Sequence, residues 1–248
     1  MAADSSQACT PGTCLCHPVG EPVMPAAEAR WSRRRLLQAS VAGGVLAGVG
    51  PVLPAFAQSK LTAKAALQAL MSGNERFVAR KLKFFEEDLA VLQQNTVEKQ
   101  EPFACVLSCA DSRVPVELLF DQSIGHVFVN RVAGNIATSE IIASIEYGIA
   151  VLGTRVLMVL GHSGCGAVKA AISAKAAPGQ ISSLYRYIRP AVDEANGDLV
   201  GSIKANARIQ AKLMRESSPV IADALKSGSL QVVAAYYDLA NGKVALLD

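Results

Sequence analysis

Two short stretches hold the residue types that do chemistry. Residues 108–113 read SCADSR and set Cys109, Asp111 and Arg113 directly after an apolar run, while residues 161–168 read GHSGCGAV and place His162 and Cys165 three apart on a glycine-rich turn. Glycine lets the backbone bend tightly there, so both side chains can point at one place. Neither stretch decides anything alone: a cysteine followed by a surface ion pair is ordinary, and so is a buried histidine near a cysteine. Together they offer two thiolates and one imidazole. A Cys₂His set with a fourth position open is the arrangement of a catalytic zinc rather than a structural one. One zinc per subunit, on Cys109, His162 and Cys165, is therefore the expected cofactor. Zinc lowers the pKa of bound water to about 7 in favourable sites, so the expected nucleophile is a zinc-bound hydroxide and the expected substrate a small electrophile. Asp111 and Arg113, two residues apart, can form a charge-assisted pair in which the arginine holds the carboxylate in one orientation.

Other readings of the glycine turn fail on its residues. A phosphate loop needs Gly-Lys-Ser/Thr where this chain has Gly166-Ala167-Val168, and the spacing does not fit G-x-G-x-x-G. A thioredoxin-like pair needs Cys-x-x-Cys, which is absent.

The elements that must position these residues are legible from periodicity. Residues 61–98 read as helical, with a weak point at Gly73-Asn74, because Leu61, Ala65, Leu70 and Phe77 recur near the helical period. Residues 103–109 form a short, almost wholly apolar run, the pattern of a strand buried on both faces; residues 126–132 are a second candidate strand and residues 155–161 a third, buried one. His126 reads as a strand-start residue. Residues 138–152 form a helix capped by Thr138 or Ser139 and stopped by Gly153, and further helices are expected over 164–176, 181–195 and 201–217. The chain closes as a hairpin with Asn241-Gly242 in a primed turn. Buried strands alternating with helices predict an α/β fold, a central, mostly parallel sheet of four to five strands flanked by helices. Sites in such sheets lie at the carboxyl ends of strands, and Cys109 and His162 are each expected just past one.

The chain has 248 residues, 51 % apolar and 18 % charged, enough for one core of ordinary size. A net charge of +3, scattered along the chain, does not point to nucleic acid as a partner. Residues 1–57 read as a leader: a basic region, an apolar stretch from Leu36 to Leu53, and a small-x-small site at Ala55-Phe56-Ala57. Ser32–Gln38 resembles the twin-arginine export motif, with Arg33 and Arg34 as the pair. Cleavage after Ala57 leaves a single catalytic zinc domain over 58–248, exported to the periplasm by the twin-arginine machinery. Cys14-x-Cys16-His17 lacks the paired second half of a metal site. Of six cysteines only Cys105, Cys109 and Cys165 lie beyond the leader. Three cannot all pair as disulfides, and a metal loaded before export would protect them in an oxidising compartment.

The stretch from Cys109 to Asn135, CADSRVPVELLFDQSIGHVFVNRVAGN, together with GHSGCGAV, resembles the two signature stretches of the β-class carbonic anhydrases. The resemblance implies zinc on Cys109, His162 and Cys165, Asp111 and Arg113 as the catalytic dyad, and reversible hydration of carbon dioxide to bicarbonate and a proton. One form of that family's site is closed by the aspartate and carries a tryptophan three residues before the first cysteine; here that position is Val106. The open form carries a glutamine nine residues before it, and Gln100 matches. The resemblance also implies a homodimer or higher even oligomer. N-terminal helices reach the partner, and Phe128 and Tyr147 line the pocket across the interface. Gly166, on the glycine turn, is counted with the same pocket. Three readings compete: a carbonyl sulfide or carbon disulfide hydrolase with the same ligands, a structural zinc module with a closed fourth position, and a redox thiol protein with a Cys109–Cys165 disulfide.

Overall fold

The computed structural model describes residues 59–83 and 99–247. The leader, its export signal and the second part of the expected 61–98 helix lie outside the described residues. The first helix, α1 (Ala63–Val78), starts at a capping bond from Ala65 N–H to Thr62 Oγ1. It runs straight through Gly73-Asn74, the expected weak point, because both residues are committed to long-range packing. A Cβ built on Gly73 would stand 1.7 Å from the Phe120 carbonyl oxygen, so only glycine lets the chain approach there. Buried Asn74 donates to the carbonyls of Leu119 and Gly242 and accepts from Val244 N–H. The helix instead ends at Val78.

Five strands follow: β1 (Ala104–Ser108), β2 (Val127–Arg131), β3 (Val156–His162), β4 (Gln231–Tyr237) and β5 (Val244–Leu247). They form one sheet of order β2-β1-β3-β4-β5, parallel except for the antiparallel β4–β5 pair. Every residue of β1 and β3 is buried, as strands covered on both faces require. Helices α2 (Val116–Leu119), α3 (Ser139–Ala150), α4 (Gly166–Ser173), α5 (Tyr185–Glu194), α6 (Leu199–Ser217) and α7 (Pro219–Lys226) complete the described fold, with a 3₁₀ turn at Ile181–Leu184. Alternation along the strands sorts the core into layers. Ala104, Val106, Met158 and Leu160 pack with Leu70, Leu119 and Phe120 under α1 and α2. Cys105, Leu107, Leu157 and Val159 pack with Ile145, Ala211, Met214 and Ile221 under α3, α6 and α7. A third cluster, Cys109, Cys165, Ile136, Val168, Ile188 and Ile203, caps the carboxyl ends of β1 and β3.

Three local expectations are corrected. The chain does end in a hairpin, but its turn is not primed: six residues, Asp238–Lys243, separate the paired Tyr237 and Val244, and of Asn241 and Gly242 only the glycine has positive φ. Asp238 organises this wider turn, its carboxylate accepting from Ala240 N–H and Asn241 Nδ2. His162 is the last residue of β3 rather than one past it, because pairing with Tyr237 of β4 extends the strand by that residue. Helix α7 was not expected; Ser218 caps it and Pro219 occupies its first turn.

Candidate metal centre

Parallel pairing of β1 with β3 sets Ser108 opposite Leu160, so the chain leaves the two strands side by side. Past β1, Val132 N–H bonds the Ser108 carbonyl and Ala110 N–H bonds the Val132 carbonyl, which extends the β1–β2 ladder to the residue carrying the thiol. Past β3, Ser163 N–H bonds the Tyr237 carbonyl, and Gly164, with φ of 68°, turns the chain so that Cys165 starts α4. The sulfurs of Cys109 and Cys165 and a ring nitrogen of His162 all lie within 4.8 Å of one another, and all three residues are buried.

The imidazole is oriented for ligation. Nδ1 lies 3.0 Å from the Ser163 carbonyl, a contact that makes it the donor and leaves a lone pair on Nε2. Nε2 is buried and has no hydrogen-bond partner. A buried acceptor left unpaired is costly, and a cation among two sulfurs and this nitrogen would satisfy it. The donor set of two soft thiolates and an imidazole suits zinc. The Cys109 thiol is pulled below its ordinary value, first by the hydrogen bond from Cys165 and further by the Gly134 N–H, against burial. Cys165 is pushed up by its hydrogen bond to Cys109 and by burial.

Asp111 stands at the rim. Arg113 grips both its oxygens, Nε to Oδ1 at 2.9 Å and Nη2 to Oδ2 at 2.7 Å, and the Arg113 backbone N–H adds a bond to Oδ1 at 3.0 Å. That grip is the main reason its carboxyl lies far below the usual carboxylate range. Oδ2 comes within 3.8 Å of His162 Nε2, so the clamped carboxylate borders the triad. A soft triad with an oriented, permanently charged acceptor beside it can bind a cation and aim a proton-bearing nucleophile.

The remaining expected site residues are spread more widely. Gly166 opens α4 and its Cβ position faces open space. Val106 is fully buried in the layer under α1, opposite in facing to Cys105 and Leu107. Phe128 pairs in register with Cys105, so it lies about 13 Å back along the sheet from Cys109. Its ring packs against Tyr147 of α3 with centroids 6.2 Å apart, and Tyr147 is 44 % exposed. Gln100 is exposed on the segment leading into β1. His126, half-buried just before β2, faces the Phe103 ring at 6.4 Å.

The resemblance places the Ala133-Gly134-Asn135 loop near the pocket, but the other contacts around the triad were not anticipated. Arg131, the last residue of β2, donates from Nε to the Cys109 carbonyl at 3.0 Å and from Nη2 to the Asp111 carbonyl at 2.6 Å, tying down the backbone of the dyad loop. Gly134 N–H donates to Cys109 Sγ at 3.3 Å. Asn206 and Gln210 of α6 hold the loop carrying that glycine. The one available signal was on α6, where Ile203, Ala207, Ala211 and Met214 form an apolar stripe that two amides, four residues apart, interrupt.

Residues 104–244 match the family described as carbonic anhydrase. The chain is 33 % identical over 192 residues to "Carbonic anhydrase 2" of Mycobacterium tuberculosis, covering 74 % of this chain and 92 % of that one. It is 35 % identical over 193 residues to "Carbonic anhydrase" of Mycolicibacterium smegmatis, covering 73 % and 92 % respectively. Among solved structures, the β-carbonic anhydrase CcaA superposes with a TM-score of 0.59 at 25 % identity, over 74 % of this chain and 88 % of that one. A buried Cys-His-Cys triad at the ends of two parallel strands, beside a clamped Asp-Arg pair, is thus found in a chain that belongs to the carbonic anhydrase family, in its β class.

Proposed function

We propose that this protein catalyses the reversible hydration of carbon dioxide to bicarbonate and a proton, with one zinc ion held by Cys109, His162 and Cys165. The observation that carries this reading is the unpartnered, buried Nε2 of His162 facing two buried thiols, with Asp111 fixed 3.8 Å away. When bound, zinc supplies a Lewis acid that lowers the pKa of water to about 7, the value known for carbonic anhydrases built on three histidines. Cys109, His162 and Cys165 would hold it. Asp111 Oδ2 accepts the proton of the attacking nucleophile and thereby directs its lone pair at the substrate carbon. Arg113 keeps that carboxylate ionised and stationary. The apolar cluster of Ile136, Val168, Ile188 and Ile203 around the cysteines limits water at the centre.

The site is of the open form. Both oxygens of Asp111 are engaged by Arg113, and the sequence carries Gln100 nine residues and Val106 three residues before Cys109, as the open form does. The active species is a homodimer or higher even oligomer in which N-terminal helices reach the partner and Phe128 and Tyr147 serve the site across the interface. The exposed Tyr147 ring against Phe128, and exposed Leu61 and Leu82 on either side of α1, support that assignment. The basic, apolar and Ala-Phe-Ala segments of residues 1–57 act as a leader read by the twin-arginine machinery, which exports the folded chain to the periplasm as a mature form beginning at Gln58. Three free, buried thiols in the described residues suit a protein folded around its metal before export.

Stopped-flow carbon dioxide hydration by the purified chain, before and after zinc removal between pH 6 and 9, tests the reading. Zinc-dependent hydration that rises through neutral pH is expected. Stoichiometric zinc without hydration would overturn the activity, and hydration appearing only above about pH 8 would overturn the open form.

A further inference from the structure

Two buried amides on α6 connect to the triad without touching it. Asn206 Nδ2 donates to the Gly134 carbonyl at 2.8 Å, and Gln210 Nε2 donates to Asn206 Oδ1 at 3.2 Å and to the Tyr187 carbonyl at 3.1 Å. Gln210 Oε1 accepts from Ala137 N–H at 2.9 Å. The loop at 134–137 is thus tied to α6 at both ends, and its first residue sends an N–H to Cys109 Sγ at 3.3 Å. Gly134 has φ of 80°, a conformation that favours glycine, and its Cβ position faces the tip of Ile188 at 2.8 Å. Asn206 is fully buried and Gln210 is 1 % exposed, on a buried helix face that also carries Ser202 beside Ile203, Ala207, Ala211 and Met214. Burying two amides is costly unless every bond is made. Two of these bonds, from Asn206 Nδ2 and to Gln210 Oε1, end on one loop, the loop that donates to a ligand sulfur.

We propose that Asn206 and Gln210 are positioning residues for the metal centre: they hold the Gly134 N–H on Cys109 Sγ, and so set how tightly the triad retains zinc. This role rests on the zinc reading above. An N–H donor to a ligating thiolate fixes its direction and spreads its charge, and partners of this outer kind typically change metal affinity 10–100-fold. Neither residue contacts substrate, so neither is a catalytic residue.

Zinc release from the purified full-length chain to a chromogenic chelator measures the effect directly. Asn206→Ala is expected to release zinc about 10–100-fold faster, and the volume-matched Gln210→Met at least about threefold faster. Asn74→Ala is the control, since it deletes three hydrogen bonds, two of them buried, on the opposite side of the sheet. It lowers the melting temperature and leaves zinc release within about twofold of wild type. Wild-type release from Asn206→Ala, or from Gln210→Met if the first variant does not fold, overturns the role. Equal acceleration in Asn74→Ala overturns it too, because the effect would then be general loosening. A wild-type chain that takes up no zinc overturns the parent reading instead.

Discussion

Arg113 holds Asp111 by both oxygens, at 2.9 and 2.7 Å, and the held carboxylate stands 3.8 Å from the unpartnered Nε2 of His162. Two residues two positions apart in sequence thus set the direction of an acceptor beside the triad.

Removing that acceptor should separate metal binding from turnover. Asp111→Ala is expected to keep stoichiometric zinc and to lose about 10²-fold in kcat, the range seen when one oriented partner of a reacting group is deleted. Arg113→Lys should lose rate in the same direction, because an ammonium cannot reproduce the planar two-bond grip. Metal analysis paired with stopped-flow hydration checks both, and an Asp111→Ala rate close to wild type would remove the orienting role.

The same grip fixes a pH dependence. The Asp111 carboxyl in the folded protein lies far below its ordinary value, chiefly because of Arg113. A depressed folded-state pKa contributes stability that is fully present above the unfolded value of about 3.9 and is lost as pH falls below it. Asp111 therefore stays charged throughout pH 6–9, and any rise in hydration there belongs to another group. Thermal unfolding of wild type and Asp111→Asn should differ by a constant amount above about pH 5 and converge below about pH 4. Divergence on acidification would contradict the assignment.

Cys165→Ser tests the ligand set. Cys165 occupies the N-cap of α4 without making a capping bond, and serine is among the better caps, so the helix itself does not suffer from the change. The variant should contain well under one zinc per chain. Its melting curve should coincide with that of chelator-treated wild type, both below the zinc-loaded protein, since a ligand that binds only the folded state raises its stability. Full zinc occupancy in Cys165→Ser would exclude that sulfur as a ligand.

Gly73→Ala should destabilise the fold without touching the chemistry. Alanine is the better helix former by about 1 kcal/mol, yet its Cβ would meet the Phe120 carbonyl at 1.7 Å. Backbone on both sides leaves no flexible group to yield, so a net loss of about 3 kcal/mol is expected in urea unfolding. Zinc content and rate per folded molecule should stay at wild-type values. A stabilised variant would show that α1 can move away from Phe120.

The chemistry of this protein was legible in its sequence because it is local. Cys109, Asp111 and Arg113 fall within five residues, His162 and Cys165 within four, and the unbroken apolar runs before them announce strands buried on both faces. Parallel strands of that kind leave their carboxyl ends together, so the triad could be anticipated from strand ends alone. Only the tertiary structure decided what lies far apart in the chain. Gly73 continues a helix instead of breaking it because a carbonyl 47 residues later needs the space, and Asn241-Gly242 forms part of a six-residue turn because Asp238 gathers its donors. Arg131 reaches the dyad loop through sheet pairing, and Asn206 and Gln210 reach the Cys109 loop through the packing of α6. Periodicity reports which face of an element is buried, but not which backbone group waits opposite it. That information exists only once register and packing bring the partners within hydrogen-bond distance.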